Sequence, residues 1–419
     1  MQEYIVIPIF SDNLLHPLHN DNSLSLLYVK GLNKESKILT LNHHDQFGVD
    51  NFDFLEDKTI LTPNKKFLLH AHSFKKVYDI NLLHYYIHNK PIEEQHYNNA
   101  MNFLYDRYYS LKNINEVIPI YKHLEHCDKI SEKIESVWNN RNKINFDSYE
   151  KYNNDAILAL YSIEKQGIKV QRQLDKKSKR HISNGKLFTN YSLYTTTGRP
   201  SNSFGGTNFA ALDKDKKQLI ISDNDYLVEY DYDACHVRLI ANLIDYKFPE
   251  GSAHDHLAKL YCKGREEGKQ LTFQYLYGGI PWDIIQSNPY FDSVNNLITI
   301  LWEEFNNTGK IETPIYKRQM FKQNYKDINK TKLFNYYIQA TETEQNIKTI
   351  IELQRYLYKR KSALILYVYD SFLIDFAEED GVKTLKEIKR ILEKNNLMTK
   401  TKMGYNYNLM KGITNKLSN

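Results

Sequence analysis

The sequence predicts an α+β protein, and three observations carry that expectation. Short apolar runs alternate with polar turns as far as Ile87, the spacing becomes helical from about Glu93 to Trp138, and two apolar runs in the second half each end in an aspartate, Asp231 and Asp370. At 419 residues the chain has room for two or three domains of ~100–200 residues each, so a single compact domain is not expected.

Taken in order, the runs Ile5–Phe10, Leu24–Val29 and Ile38–Leu41 read as strands of an α/β unit built on a sheet. Ala100, Phe103, Leu104, Tyr108 and Leu111 then recur at helical spacing with polar residues between them. A further helix is expected over Asp155–Lys165, ended by Gly167, and the basic run Lys176–Arg180 reads as a solvated loop. Tyr226–Asp231 reads as a strand, and Ala363–Asp370 followed by Ser371–Asp375 as a hairpin. Between them the chain is mostly helical, with Gly278-Gly279 and Pro281 breaking the helix that begins near Arg265.

Composition excludes more than it names. A net charge of +5 and a pI near 8.6 are only mildly basic, so contact with nucleic acid must come from local clusters of Lys and Arg. Cys127, Cys235 and Cys262 are scattered and odd in number, which argues against a disulfide framework or a zinc ribbon. No apolar run approaches the ~20 residues of a membrane span, and the first residues lack the pattern of a signal peptide. A soluble cytoplasmic protein is expected. Heavy use of Asn, Lys, Ile and Tyr points to an AT-rich genome.

Arg265, Lys269, Phe273 and Tyr277 are each four residues apart, so on a helix successive side chains rotate by only ~40° and line one drifting face. Two readings stay open for that face: an amphipathic helix with core aromatics and solvated cations, or a grip for a nucleoside triphosphate. Asp231 and Asp370 are open in the same way, because an aspartate at a strand end is commonly a turn former. Two of them after apolar strands also suit Mg²⁺, which takes oxygen ligands and is commonly held by one or two carboxylates plus substrate phosphates.

At these residues the chain resembles the family A, DNA polymerase I-like polymerases. DYDACHVR (Asp231–Arg238) resembles their motif A, REEGKQLTFQYLYGG (Arg265–Gly279) motif B, and VYDSFLID (Val368–Asp375) motif C. TTTGRPSN (Thr195–Asn202), with Asn208 downstream, resembles the primer-template segment, and LFNYYIQ (Leu333–Gln339) a helix carrying an Asn and a minor-groove Gln. The C-terminal Gly404–Tyr407 resembles the last strand. The matches run in the family's order from about Asp155 to the end of the chain.

The resemblance implies a right-hand polymerase with an antiparallel palm sheet and helical fingers over 151–419, a helical connector or thumb substitute over 93–150, and an α/β RNase H-like exonuclease-type domain over 1–92. It implies template-directed addition of deoxynucleotides to a primer 3′-end by two-metal nucleotidyl transfer, with two Mg²⁺ ions, or Mn²⁺ in their place, on Asp231, Asp370 and the Tyr232 carbonyl. Lys269 would be catalytic and, with Arg265, hold the phosphates. Phe273 and Tyr277 would meet the base, His236 the sugar, and His256 would flank the pocket. Arg199, Asn208, Asn335 and Gln339 would contact primer-template DNA.

The chain departs from the family in four places. Motif A carries His236 where a Glu blocks ribonucleotides, and motif C reads Tyr369-Asp370-Ser371 where His-Asp-Glu is usual. The first strand lacks the exonuclease's D-x-E, with only Asp12 beside it, and HAHSFK (His70–Lys75) puts Ala71 and Lys75 where the second exonuclease motif has Asn and Asp. Lysine is no magnesium ligand, so a degenerate exonuclease without proofreading is expected, as opposed to a repositioned site on Asp12 and Asp79. About 27 residues separate Gly167 from Thr195 where the family has a long thumb, so the thumb is reduced or replaced, by the helices after Glu93 or by a replisome or processivity partner. The expectation is a compact phage- or plasmid-type DNA polymerase, with an RNA- or primer-synthesising enzyme and an inactive replication scaffold as alternatives.

Overall fold

The computed structural model describes residues 2–12, 15–32, 34–42, 50–89, 120–176, 178–201 and 207–417. The helical spacing expected from Glu93 through Ala100, Phe103, Leu104, Tyr108 and Leu111 lies outside the described residues, as does Asn202. The chain divides into two compact units, 1–194 with 200–221, and 195–199 with 222–419.

The first unit is built on a five-stranded mixed sheet with the order β3-β2-β1-β4-β5. Its strands are β1 (Glu3–Phe10), β2 (Leu24–Gly31), β3 (Ser36–Thr40), β4 (Thr59–Thr62) and β5 (Lys76–Asp79). The first three pair antiparallel, whereas β4 and β5 run parallel to β1. Near-continuous apolar strands follow because helices cover both faces of the sheet. Ile5, Ile7 and Ile9 pack with Leu83 and Ile87 of α2 (Ile80–His88) and Ile130 and Ile134 of α3 (Ile120–Asn139). Val6, Leu27 and Val29 point the other way, onto Leu68 of α1 (Lys65–Ala71) and Phe74. Period-two alternation thus feeds two cores from one strand.

The helix expected over Asp155–Lys165 begins earlier, as α4 (Phe146–Glu164), because Asn145 caps its first turn by accepting from the Ser148 amide. Gly167, at φ +62°, ends it, and a small antiparallel sheet of β6 (Ile168–Lys169), β7 (Ile182–Ser183) and β8 (Lys186–Leu187) follows. The boundary expected at 150/151 therefore falls inside this helix of the first unit.

The second unit is built on an all-antiparallel five-stranded sheet, order β12-β13-β9-β14-β15. Its strands are β9 (Tyr226–Tyr232), β12 (Ala363–Val368), β13 (Ser371–Phe376), β14 (Thr399–Gly404) and β15 (Lys411–Gly412), with a separate hairpin of β10 (Lys310–Glu312) and β11 (Gln319–Phe321). The expected hairpin is β12-β13. On β9, Tyr230 and Tyr232 face the helix Gly381–Leu392 and donate to the carbonyls of Leu385 and Leu392, at 3.0 and 3.1 Å. Alternation sends Glu229 and Asp231 to the opposite face.

Between β9 and β12 stand α5 (Cys235–Leu243), α6 (Ala253–Leu260), α7 (Arg265–Gly278), the short helix Trp282–Ser287, α8 (Pro289–Thr308) and the 28-residue α9 (Lys330–Leu357). Val237, Ile240, Leu257, Leu276, Phe291, Phe305 and Phe334 knit them into one core. Gly279 follows α7 at φ +122°, the break expected there. Among the described residues no helix is long and apolar enough to cross a membrane.

Candidate active site

Strand register brings the two aspartates together. Asp231 pairs across β9-β13 with Ser371, and the Tyr232 amide donates to the Asp370 carbonyl at 3.0 Å. Asp370 sits in the β12-β13 turn, behind Tyr369 at φ +58°, and Ala234, three residues after Asp231, takes φ +57°. Left-handed conformations are unfavourable for residues with a Cβ, so both turns hold backbone strain of about 1–3 kcal/mol each beside the carboxylates. Burial, then Asp370 and Glu229, push the Asp231 carboxyl up from 3.8 to about 7, against the pull of Lys402 and Lys400. Asp370 is raised as well, by burial and then Glu342. Glu229 shares the face of Asp231, accepting from Ser371 Oγ at 3.2 Å and pairing with Lys402 at 3.2 Å.

Helix α7 lies tightly against α6. A Cβ on Gly268 would stand 2.4 Å from the Ala258 Cβ and 2.7 Å from its Cα, so only glycine allows this approach. With Gly268, Thr272 and Leu276 turned inward, Lys269 is exposed, while Arg265, Phe273 and Tyr277 are half-buried. Arg265 bonds to Asp255 at 2.8 Å and lies 3.5 Å from Asp233, which Lys400 also holds. Phe273 stacks on Tyr277 with ring centres 6.2 Å apart and meets His254 at 6.0 Å. Burial lowers His254 to about 4, so this imidazole is neutral at pH 7. His256 instead packs its edge against Phe248.

Helix α9 presents Asn335, Gln339, Glu342 and Asn346 along one side, at spacings of four, three and four residues. Gln339 donates to Asn335 at 2.9 Å, and Asn346 donates to the Tyr369 carbonyl at 3.0 Å, fixing the turn that bears Asp370. Glu342, only 2% exposed, accepts from Arg199 and from His236 Nε2, both at 3.2 Å. His236 Nδ1 lies 2.5 Å from the Tyr277 hydroxyl. The Arg199 guanidinium stacks on the Tyr369 ring at 3.9 Å. The second unit thus gathers Arg199, Asp231, His236, Tyr277, Glu342 and Asp370. Asn208 belongs to the first unit, exposed at the entry to the turn Phe209–Ala211.

Sequence reasoning missed Glu229, His254, Glu342 and Asn346. A period-two count back from Asp231 finds Glu229, and a helical count on from Gln339 finds Glu342 and Asn346. His254 and His256 are nearly 200° apart on a helix, so choosing between them requires the phase set by the Ser252 cap.

In the first unit, Arg180 Nη2 donates to both Asp12 carboxylate oxygens, at 2.8 and 3.0 Å, and Asp79 caps α2 by accepting from the Leu82 amide at 2.9 Å. Lys75 pairs with Asp57 at the surface. His16, His70 and Glu164 converge, the one group of three metal-ligating types among the described residues. The Lys66 ammonium lies 2.5 Å from Glu164, and His16 Nδ1 accepts the Leu18 amide at 3.2 Å, which leaves the neutral ring's proton on Nε2. The group is thus a buried polar network in which His16 Nε2 and His70 Nδ1 have no hydrogen-bond partner among the described residues.

No protein-family model and no curated protein matches this sequence. The structure is similar to that of the POL domain of Pol1 from M. smegmatis in complex with DNA primer-template and dNTP, at a TM-score of 0.71 and 12% identity over 97% of this chain and 96% of that one. At that identity the likeness is one of fold, and the chain has a mixed α+β fold of the DNA polymerase kind.

Proposed function

We propose that this protein is a template-directed DNA polymerase that adds deoxynucleotides to a primer 3′-end. The observation that carries the reading is the juxtaposition of Asp231 and Asp370 on one antiparallel sheet, in the unit that also carries Arg265 and Lys269 on α7. The fold shared with a polymerase domain solved with primer-template and dNTP supports it. In this reading the second unit's sheet is the palm and α7 a fingers helix.

The donor set fits divalent cations. Burial raises both carboxyls, with Asp370 and Glu229 adding to the rise at Asp231 and Glu342 to that at Asp370, and a dication at the pair relieves that cost of ionisation. Asp231, Asp370 and the Tyr232 carbonyl would hold two Mg²⁺, which when bound activate the primer hydroxyl and neutralise the leaving pyrophosphate. The chain's own groups do the rest. Lys269, exposed, is free to reach the triphosphate and to protonate pyrophosphate, and Arg265 would exchange Asp255 for a phosphate oxygen. Phe273 offers a ring face to the incoming base, with Tyr277 behind it and His256 at the margin. Arg199, Asn208, Asn335 and Gln339 would contact the duplex.

For residues 1–92 the reading is a degenerate exonuclease-like domain. Engagement of Asp12 by Arg180 and of Asp79 as a helix cap supports a structural role for both. Residues 93–150 would serve as connector or thumb substitute, alone or with a processivity partner. With little thumb, duplex grip rests on few phosphate contacts, so synthesis by the lone chain should be distributive and salt-sensitive.

Primer extension with Mg²⁺, comparing deoxy- and ribonucleotides for the wild-type chain and Asp370→Ala, tests the reading. Extension by wild type alone, with deoxynucleotides favoured, is expected. A wild-type chain that extends with neither would sink it.

A further inference from the structure

Glu342 is a fully ionisable side chain with almost no access to solvent, on a helix face where the neighbouring functional groups, Asn335, Gln339 and Asn346, are all amides. Burying a carboxylate is costly unless it is paired and hydrogen-bonded, so its partners indicate what it is for. It has two cationic or protonable ones: Arg199, whose Nη2 reaches both carboxylate oxygens at 3.2 and 3.3 Å, and His236, whose Nε2 lies 3.2 Å from Oε2. Burial opposes ionisation of Glu342, but His236 and Arg199 together outweigh it and hold the carboxyl below the ordinary range. An ionised carboxylate only accepts, so the hydrogen between Glu342 and His236 sits on Nε2. On the other side of the ring, Nδ1 meets the Tyr277 hydroxyl at 2.5 Å. Neither ring nitrogen is left for a third group.

That occupancy bears on sugar choice. A 2′-hydroxyl both donates and accepts, so a free imidazole at this position would welcome a ribonucleotide. An imidazole with both nitrogens engaged offers the hydroxyl only bulk. We propose that Glu342 is a positioning residue for sugar selection: it fixes the tautomer and orientation of His236 so that, with Tyr277 on the opposite nitrogen, the ring excludes ribonucleotides instead of binding them. The inference rests on the polymerase reading, and it assigns to Glu342 a role that acts entirely through His236.

The test compares kcat/KM for a deoxynucleotide with that for the matching ribonucleotide in the wild type, E342Q, H236A and the double variant, with KM and kcat resolved. Loss of a charge-assisted bond predicts that E342Q discriminates about tenfold less, mainly through a lower KM for the ribonucleotide. The double variant should then match H236A alone, because removing the intermediary removes the effect. Nitrogen NMR of histidine-labelled wild-type protein, with the His236 signal identified by its loss in H236A, should find the proton on Nε2. This readout needs no folded Glu342 variant. Unchanged discrimination in E342Q, additive losses in the double variant, or an Nδ1–H tautomer each overturn the inference while leaving the polymerase reading intact. Failure of the wild type to extend with deoxynucleotides overturns both.

Discussion

Asp231→Asn separates what the aspartate pair costs the fold from what it does for chemistry. In the folded chain the Asp231 carboxyl is pushed from 3.8 up to about 7, by burial first and by Asp370 and Glu229 next. Because the folded pKa lies above the unfolded one, ionisation opposes folding. Below pH ~4 the group is protonated in both states and no stability is lost; the loss accumulates as the pH rises and is complete above ~7. A shift of about three units corresponds to about 4 kcal/mol, and screening at this partly exposed site reduces the expectation to roughly 1–2 kcal/mol. Asparagine keeps the shape and cannot ionise. In EDTA at pH 8 the Asn variant should therefore be about 1–2 kcal/mol more stable than wild type, with the difference vanishing near pH 4. Urea unfolding followed by tryptophan fluorescence suits the test, since Trp282 and Trp302 both lie in the second unit. Mg²⁺ should stabilise the wild type and not the variant, and the variant should lose primer extension. A variant less stable than wild type at pH 8, or a gain that is the same at pH 4, would refute the reasoning.

Gly268→Ala should lower thermal stability despite alanine's better helix propensity, because the new methyl meets Ala258 at 2.4 Å; overpacking of about 1–3 kcal/mol outweighs a propensity gain of about 1 kcal/mol, and an unchanged or raised melting temperature counts against the packing described. Glu164→Gln leaves the buried Lys66 ammonium and His70 facing a neutral amide and should destabilise the first unit by about 3–5 kcal/mol in urea unfolding; a loss below about 1 kcal/mol means the buried pair contributes little. Phe273→Ala should raise the KM for deoxynucleotides about ten- to hundredfold in steady-state extension, the worth of one base–aromatic stack, and a change confined to kcat contradicts that role.

What was legible in the sequence is what local pattern can encode. Tyr226–Asp231 and the hairpin from Ala363 to Asp375 were readable because apolar strands ending in a polar turn are a short-range signal, and antiparallel register then brings Asp231 to Ser371 without further information. The two parallel strands Thr59–Thr62 and Lys76–Asp79 were not readable, since each has four residues and gains its burial from elements distant in sequence or from each other. Nor were Lys66, Glu164 and Glu342, because a buried charge looks like a surface charge until its partner is known, and these partners lie 98 to 143 residues away. Arg199 illustrates the same limit: the sequence suggests a contact for DNA and gives no sign of its engagement with Glu342 and the Tyr369 ring.

Under the polymerase reading, the two altered motif positions each have an acid within hydrogen-bond reach. Where that family carries a glutamate in motif A, this chain has His236, which bonds to Glu342 on α9. Where motif C usually has a second carboxylate, this chain has Ser371, whose hydroxyl donates to Glu229 on the facing strand. The engagement of the buried Glu342, together with an Asp231 carboxyl raised to about 7 by burial first and then by Asp370 and Glu229, weighs for a working site over an inert scaffold.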